Sequence, residues 1–315
     1  MNITKILVFL VIIILGIISY IYLHKQWSKK AITKNEWLEL FPFIKRSASL
    51  FKPSTKKCFN RIGGKPNLPK DVTWPTLNGE PLAFIAQIDL STLPKSDDNL
   101  KNLEGYIFVF LDYQNEDVFD GSEPENAQGI KVLYTKEVQK QEREYPENLN
   151  DNFKFSSTYL TPQELKYDLP QNILDEFDLT HYIGKRYEQT SIDSCKNYDE
   201  AYNQLVTNDK NYLNYNEETI YGTNEILKFG GYPKYIQGNC SPSVWKQKVH
   251  HPKKVQDYIK NNSQNEYTFL FEIQSNKDKY NKMDFQDGGT IYVFIKTEDL
   301  VNNNLTHLYV RMQWG

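Results

Sequence analysis

The chain opens on an unbroken apolar run: Ile6 to Leu23 reads ILVFLVIIILGIISYIYL, without a charge. A helix rises about 1.5 Å per residue, so the run spans roughly 27 Å, close to the hydrocarbon thickness of a bilayer. It has no polar face, unlike a helix packed on a globular core. Tyr20, Tyr22 and Trp27 stand at its far end, where amphipathic rings favour the membrane interface. The exit, Tyr-Ile-Tyr-Leu-His-Lys-Gln-Trp, lacks the small residues of a cleavage site, so the anchor is expected to be uncleaved. Residues 1–30 thus predict a single-pass membrane anchor, its helix over about 6–23 and the bilayer its partner. Lys5 precedes the helix while Lys25, Lys29, Lys30 and Lys34 follow it, which points the rest of the chain into the cytoplasm.

Residues 31–52 follow as a juxtamembrane segment, where Trp37 to Phe51 fits either a short interfacial helix or a linker. From Arg61 to Pro81 the chain is dense in Gly and Pro, which fix or free φ and remove donors, so no helix is expected. Asn78-Gly79 signals a tight turn. Leu82 to Leu90 reads as a strand, with Phe84, Ala86 and Ile88 on one face and Ile85 and Gln87 on the other. Gly105 to Asp112 is apolar on both faces and reads as a central strand. The middle third is expected to be helices and loops: KEVQKQERE and PQELKYDLPQNILDEF carry helical spacing, broken by Pro170. Asn197 to Tyr215 sets Tyr198, Ala201, Tyr202, Leu205 and Val206 on one helical face. Strand patterns return at Phe269–Ile273, Thr290–Lys296 and His307–Gln313, with a short helix expected at Pro252–Asn261. The fold class is α+β, mainly β.

Segments of the two ends share a pattern. Arg61-Ile62-Gly63-Gly64-Lys65-Pro66 parallels Lys228-Phe229-Gly230-Gly231-Tyr232-Pro233. Phe84 to Asp89 parallels Phe269 to Gln274, and Gly105 to Phe110 parallels Gly289 to Phe294, at offsets of 185 and 184 residues. The first pair lies 167 residues apart, so the second copy carries a longer insert after its glycines. We expect a domain over 53–315 made of two related halves, about 58–135 and 225–315, with a helical insert between them. A Gly-Gly pair in each half argues first for architecture and only then for ligand contact.

These residues resemble the YwqG family of uncharacterised bacterial proteins. The first half carries Gly-Gly-x-Pro-x-Leu-Pro from Gly63, then Trp74-Pro75, then Pro81-Leu82-x-Phe84-Ile85-Ala86-Gln87-Ile88-Asp89-Leu90. The second carries Phe229 to Pro233, Gln237, Leu270 to Gln274, and Asp287-Gly288-Gly289 before Ile291 to Ile295. The resemblance covers most of 45–315 and implies a mainly β, duplicated roll-like domain without an established activity. This chain departs from the family at Glu272, where Gln is usual, and at Phe285-Gln286-Asp287, where Trp-Gly-Asp is frequent. Most members are soluble, so the anchor is an addition.

The remaining chemistry is sparse. A net charge of −3 gives no support for nucleic-acid binding. The three cysteines, Cys58, Cys195 and Cys240, are odd in number and far apart, which speaks against a disulfide framework. No HExxH, CxxC, phosphate loop or nucleophile elbow occurs, so no metal, cofactor or catalytic residue is assigned. Trp74 and Trp314 read as core residues. The candidate ligand-binding residues are Gln87, Asp89, Glu272 and Asp287. A Gln and a carboxylate at matching strand positions could orient a polar ligand between the halves. Equally, each could satisfy backbone groups, with Asp89 capping the turn after its strand. The expected function is a non-enzymatic, membrane-anchored binding protein with a protein partner, for example in an immunity or accessory role. The alternative is a small-ligand binder or hydrolase-like enzyme working in the cleft between the halves.

Overall fold

The computed structural model describes residues 14, 15, 17, 31–93, 100, 102–113, 129–170, 188–208, 226–237, 240–241, 267–276, 282–285 and 288–314. The apolar run 6–23 lies outside them except for Ile14, Leu15 and Ile17, which are helical and 53%, 57% and 52% exposed. No helix among the described residues is long and apolar enough to cross a membrane. The short helix expected at Pro252–Asn261 also lies outside the described residues.

Residues 31–52, expected as a juxtamembrane segment, form helix α1 (Lys34–Ile44) and most of strand β1 (Arg46–Ser54). A capping box starts α1: Thr33 Oγ1 accepts from the Glu36 N–H, and the Thr33 N–H returns a bond to Glu36 Oε2. Trp37, Leu40, Phe41 and Ile44 recur at helical spacing and are buried. They face helix α2 (Glu188–Asn208), where the Tyr198 ring meets Trp37 and Phe41 edge-on, at 5.2 and 5.6 Å. Asn197 to Asn208 is thus helical, with Tyr198 and Ala201 buried.

Strand β1 sits in the middle of the sheet. On one side it pairs with β8 (Thr158–Asp168), on the other with β9 (Leu227–Gly230). The helical spacing of Pro162 to Asp168 is overridden here: the segment pairs with β1, with one register shift between Leu165 and Asp168, and tertiary pairing outweighs a weak local preference. KEVQKQERE is not helical either. It lies irregularly over the Pro-rich segment, with Arg143 N–H donating to the Pro66 carbonyl.

Among the described residues the sheet has ten strands in the order β12-β11-β10-β9-β1-β8-β2-β5-β6-β7. The further members are β2 (Arg61–Ile62), β5 (Ala83–Asp89), β6 (Tyr106–Leu111), β7 (Ile130–Thr135), β10 (Tyr267–Gln274), β11 (Thr290–Lys296) and β12 (Leu308–Gln313). Helix α3 (Thr297–Val301) joins β11 to β12. All pairings are antiparallel. Outward from the central pair, β8-β2-β5-β6-β7 runs one way and β1-β9-β10-β11-β12 the other. The sheet curls until its edge strands β7 and β12 approach each other, nearly closing a barrel. A small hairpin, β3 (Thr76–Leu77) and β4 (Glu80–Pro81), stands apart from it. Asn78 and Gly79 have φ of 52° and 89°, the positive pair a two-residue hairpin turn requires.

One core fills the curl, drawing Ile85, Ala86, Ile88, Ile107 and Val109 from one side and Leu270, Phe271, Ile273, Ile291 and Val293 from the other. The expected alternation of β5 is corrected at this point. A register shift between Phe84 and Ala86 sends Ile85, Ala86 and Ile88 inward together and leaves Phe84 and Gln87 outward. Strand β10 has the same shift between Phe269 and Phe271. The outward faces carry their own smaller clusters: Trp74, Phe84, Phe108 and Phe110 on one, Phe269, Tyr292, Phe294 and Tyr309 on the other.

Candidate functional site

The two Gly-Gly-x-Pro turns gather the buried polar residues Arg61, Asn67, Gln87, Asp168, Lys228 and Glu272. Gly63 and Gly64 have φ of 63° and 73°; Gly230 and Gly231 have 72° and 73°. A side chain at Gly64 would press on Ser157, and one at Gly231 on the Asp168 carboxylate. Each turn is closed by the cation that begins its motif. Arg61 donates to the Lys65 carbonyl and Lys228 to the Tyr232 carbonyl, four residues on in both cases. Each cation is paired with a carboxylate from another segment: Arg61 with Glu142 at 3.0 Å, Lys228 with Asp168 at 3.0 Å. Asp168 also accepts from the Tyr232 N–H at 2.8 Å.

Gln87 and Glu272 continue the same device. Gln87 is wholly buried; its Oε1 accepts from the Asn67 N–H at 2.9 Å, and its Nε2 donates to the Phe59 carbonyl and to Asn67 Oδ1. Glu272 is also wholly buried, and its Oε2 accepts from the Lys234 N–H at 2.8 Å. Asp89 caps the short 3-10 turn Leu90–Thr92, accepting from the Ser91 N–H and hydroxyl at 2.9 and 2.6 Å. Asp287 lies outside the described residues. Gln87 and Glu272 are not brought together. They sit on β5 and β10, five strand spacings apart in the sheet and both facing outward. At about 4.8 Å per strand that is roughly 24 Å along the sheet.

Side-by-side pairing gives two matching rows across the outer faces. One reads Arg61, Gln87, Phe108, Leu133; the other Lys228, Glu272, Tyr292, Arg311. Both rows begin with a cation; beyond it the first half carries an amide and apolar groups, the second ionisable ones. The Tyr292 hydroxyl donates to the Lys234 carbonyl; burial, then the Glu272 charge, pushes its pKa well up. Burial likewise pushes the Cys240 thiol up to about 12 and the Cys195 thiol up to about 11. Both thiols stay protonated at neutral pH and are poor nucleophiles. Among the described residues no group of His, Cys, Asp and Glu is arranged to hold a metal.

Among the described residues a concave surface lies elsewhere, on the outer side of the first half. A cleft of about 350 Å³ runs between the β3–β4 hairpin and the segment 143–148. Trp74 and Tyr145 form its apolar corner, their rings 6.2 Å apart at 69°. Trp74 is buried as expected, its Nε1 donating to the Leu82 carbonyl, and it lies at the wall of the cleft. Arg143 is held on the Pro69 and Val72 carbonyls, and Glu144 pairs with Lys65. Burial raises the Tyr145 hydroxyl's pKa. Tyr145, Arg143 and Asn148 were not singled out in the sequence: Arg143 lies in a stretch read as helical, Tyr145 and Asn148 follow it in no motif, and the crossing of 143–148 over the Pro-rich stretch leaves no local signal.

These features define a mainly β protein with one large curled antiparallel sheet and a scaffolding turn in each half. The chain belongs to the family described as Domain of unknown function (DUF1963), whose model matches residues 60–314. No curated protein matches it.

Proposed function

We propose that this is a single-pass, membrane-anchored binding protein of YwqG-like type, non-enzymatic, with its domain in the cytoplasm and two halves descended from one unit. The observation that carries the binding reading is how the polar residues are used. Gln87, Asp89 and Glu272 answer backbone groups and hold turns, whereas the cleft beside Trp74 offers a concave surface with polar groups at its rim. The apolar run from Ile6 supports the anchor, as do the exposed side chains of the helical residues Ile14, Leu15 and Ile17. The repeated strand order and the shared bulge support the duplication. An immunity or accessory role towards a protein partner fits such a surface. An enzyme working between the halves would need Gln87 and Glu272 in one pocket, and their outward, distant placement favours the binding reading.

The test is capture from membranes with the full chain in lipid nanodiscs. A stoichiometric ligand or partner whose retention depends on Tyr145 is expected. Turnover of a substrate abolished by Glu272→Gln, in a variant that remains folded, would instead establish the enzyme.

A further inference from the structure

Residues 142–144 read Glu-Arg-Glu, and the middle one alone of the three has no ionic partner among the described residues. Glu142 is taken by Arg61 at 3.0 Å and Lys57 at 3.4 Å, and Glu144 by Lys65 at 2.5 Å. The Nη1 of Arg143 donates instead to the Pro69 and Val72 carbonyls, the first at 3.2 Å. Both acceptors are neutral, so these bonds fix the plane of the guanidinium and leave its charge uncompensated. Its Nε and Nη2 make no bond within the protein and, unlike the Arg61 Nε, they are not sealed from solvent. That free edge is the one through which a guanidinium grips an oxyanion with two parallel hydrogen bonds.

Arg143 lines the cleft of about 350 Å³ beside the β3–β4 hairpin. No second uncommitted cation stands in its wall. Glu144 also reaches the wall, but together with Lys65 it forms a pair of no net charge. The other polar side chains there are neutral. The hydroxyls of Thr73, Thr76 and Tyr145 and the amide of Asn148 make no hydrogen bond within the protein among the described residues. One positive charge among neutral groups suits a single negative charge better than a phosphate, which carries nearly two.

We infer that the cleft binds a carboxylate, gripped by the Nε–Nη2 edge of Arg143. Its source is a small organic acid, or the acidic side chain or C-terminus of a peptide. The inference rests on the binding reading above and gives it a ligand class. Thr76, Tyr145 and Asn148 then serve the polar groups next to the carboxylate.

Titration calorimetry on the full chain, in nanodiscs of zwitterionic lipid and chloride buffer, tests this. The probes are propionate, benzoate, an acetylated tripeptide with a free C-terminus, the same tripeptide amidated, an amidated tripeptide carrying Glu, and phenyl phosphate. At least one carboxylate should bind, its amide should not, and Arg143→Gln should weaken the binding at least about tenfold. That carboxylate should also slow phenylglyoxal labelling of Arg143, as peptide mass spectrometry would read. The labelling uses the unaltered chain, so it decides even if Arg143→Gln perturbs the fold. Binding of the small acids identifies a free acid as the source; binding of the peptides alone identifies a protein partner. Failure of every carboxylate to bind, equal binding of acid and amide, or binding that leaves Arg143 labelling unchanged overturns the proposal. Tighter, Arg143-dependent binding of phenyl phosphate overturns the ligand class and leaves the binding-protein reading standing. That reading falls only if membrane capture also recovers nothing.

Discussion

Gln87 and Glu272 occupy matching places yet are not interchangeable, because only one of them must donate. The Gln87 amide serves the Phe59 carbonyl and Asn67 Oδ1, both acceptors, in a fully buried site. A carboxylate there would face two acceptors, so Gln87→Glu should destabilise the fold by about 2–3 kcal/mol. Glu272→Gln keeps the acceptor for the Lys234 N–H and should change stability by less than about 1 kcal/mol. Thermal unfolding of both variants decides; equal losses would sink the asymmetry. The thiols give a pH prediction. Cys240 and Cys195 titrate at about 12 and about 11, against an ordinary 9.0, so the folded state holds protons that the unfolded state releases. Their contribution to stability is complete below pH 9 and is lost as pH rises towards 11 and 12. At pH 8 both should react with maleimide much more slowly in the folded protein than in urea, as peptide mass spectrometry would read. Fast labelling of both in the folded state would contradict the burial argument.

Among the elements, the Gly-Gly-x-Pro turns are the most sensitive. Gly231→Ala sets a Cβ at positive φ against Asp168, whose carboxylate already holds Lys228 and the Tyr232 N–H. We expect a loss of about 3 kcal/mol or more, since both the backbone and a buried ion pair are disturbed. Gly79→Ala meets nothing within 4 Å, so only the strain of its φ remains, about 1–2 kcal/mol. Urea unfolding of the two variants should rank them in that order. The motif itself was readable in the sequence because two glycines, a proline and a cation recur at fixed spacing. The strand pairs at Phe84 and Phe269 were readable too, but their facing was not. A bulge changes the phase of alternation without changing composition, and it shows only when the partner strand is known. Pro162 to Asp168 was hidden for a related reason: its helical spacing is local, and its pairing with β1 joins residues more than a hundred positions apart. The cleft was invisible on the same ground, since Trp74 and Tyr145 meet only after two irregular segments cross.

For the whole molecule, the decisive point is where the chain enters the sheet. A domain beginning at 53 would survive loss of everything before it. In the structure the chain passes from Ile32, whose N–H and carbonyl are bound by Ser194 and Asn197 of α2, through α1 and directly into β1. Strand β1 is flanked by β8 and β9, the junction between the five-strand run β8-β2-β5-β6-β7 and the four-strand run β9-β10-β11-β12. Removing it leaves the edges of the long strand β8 and the short strand β9 unpaired and opens the shared core to water. A chain lacking residues 1–30 should therefore fold and stay in solution, while one lacking 1–52 should not fold. Circular dichroism with size-exclusion chromatography of both truncations would show a cooperative β-rich monomer in the first case only. If the shorter chain folds as well, β1 is dispensable and the two halves are held by something other than the strand between them. If the longer one does fold alone and the full chain resists carbonate extraction from membranes, the first thirty residues act as an anchor and the sheet owes them nothing.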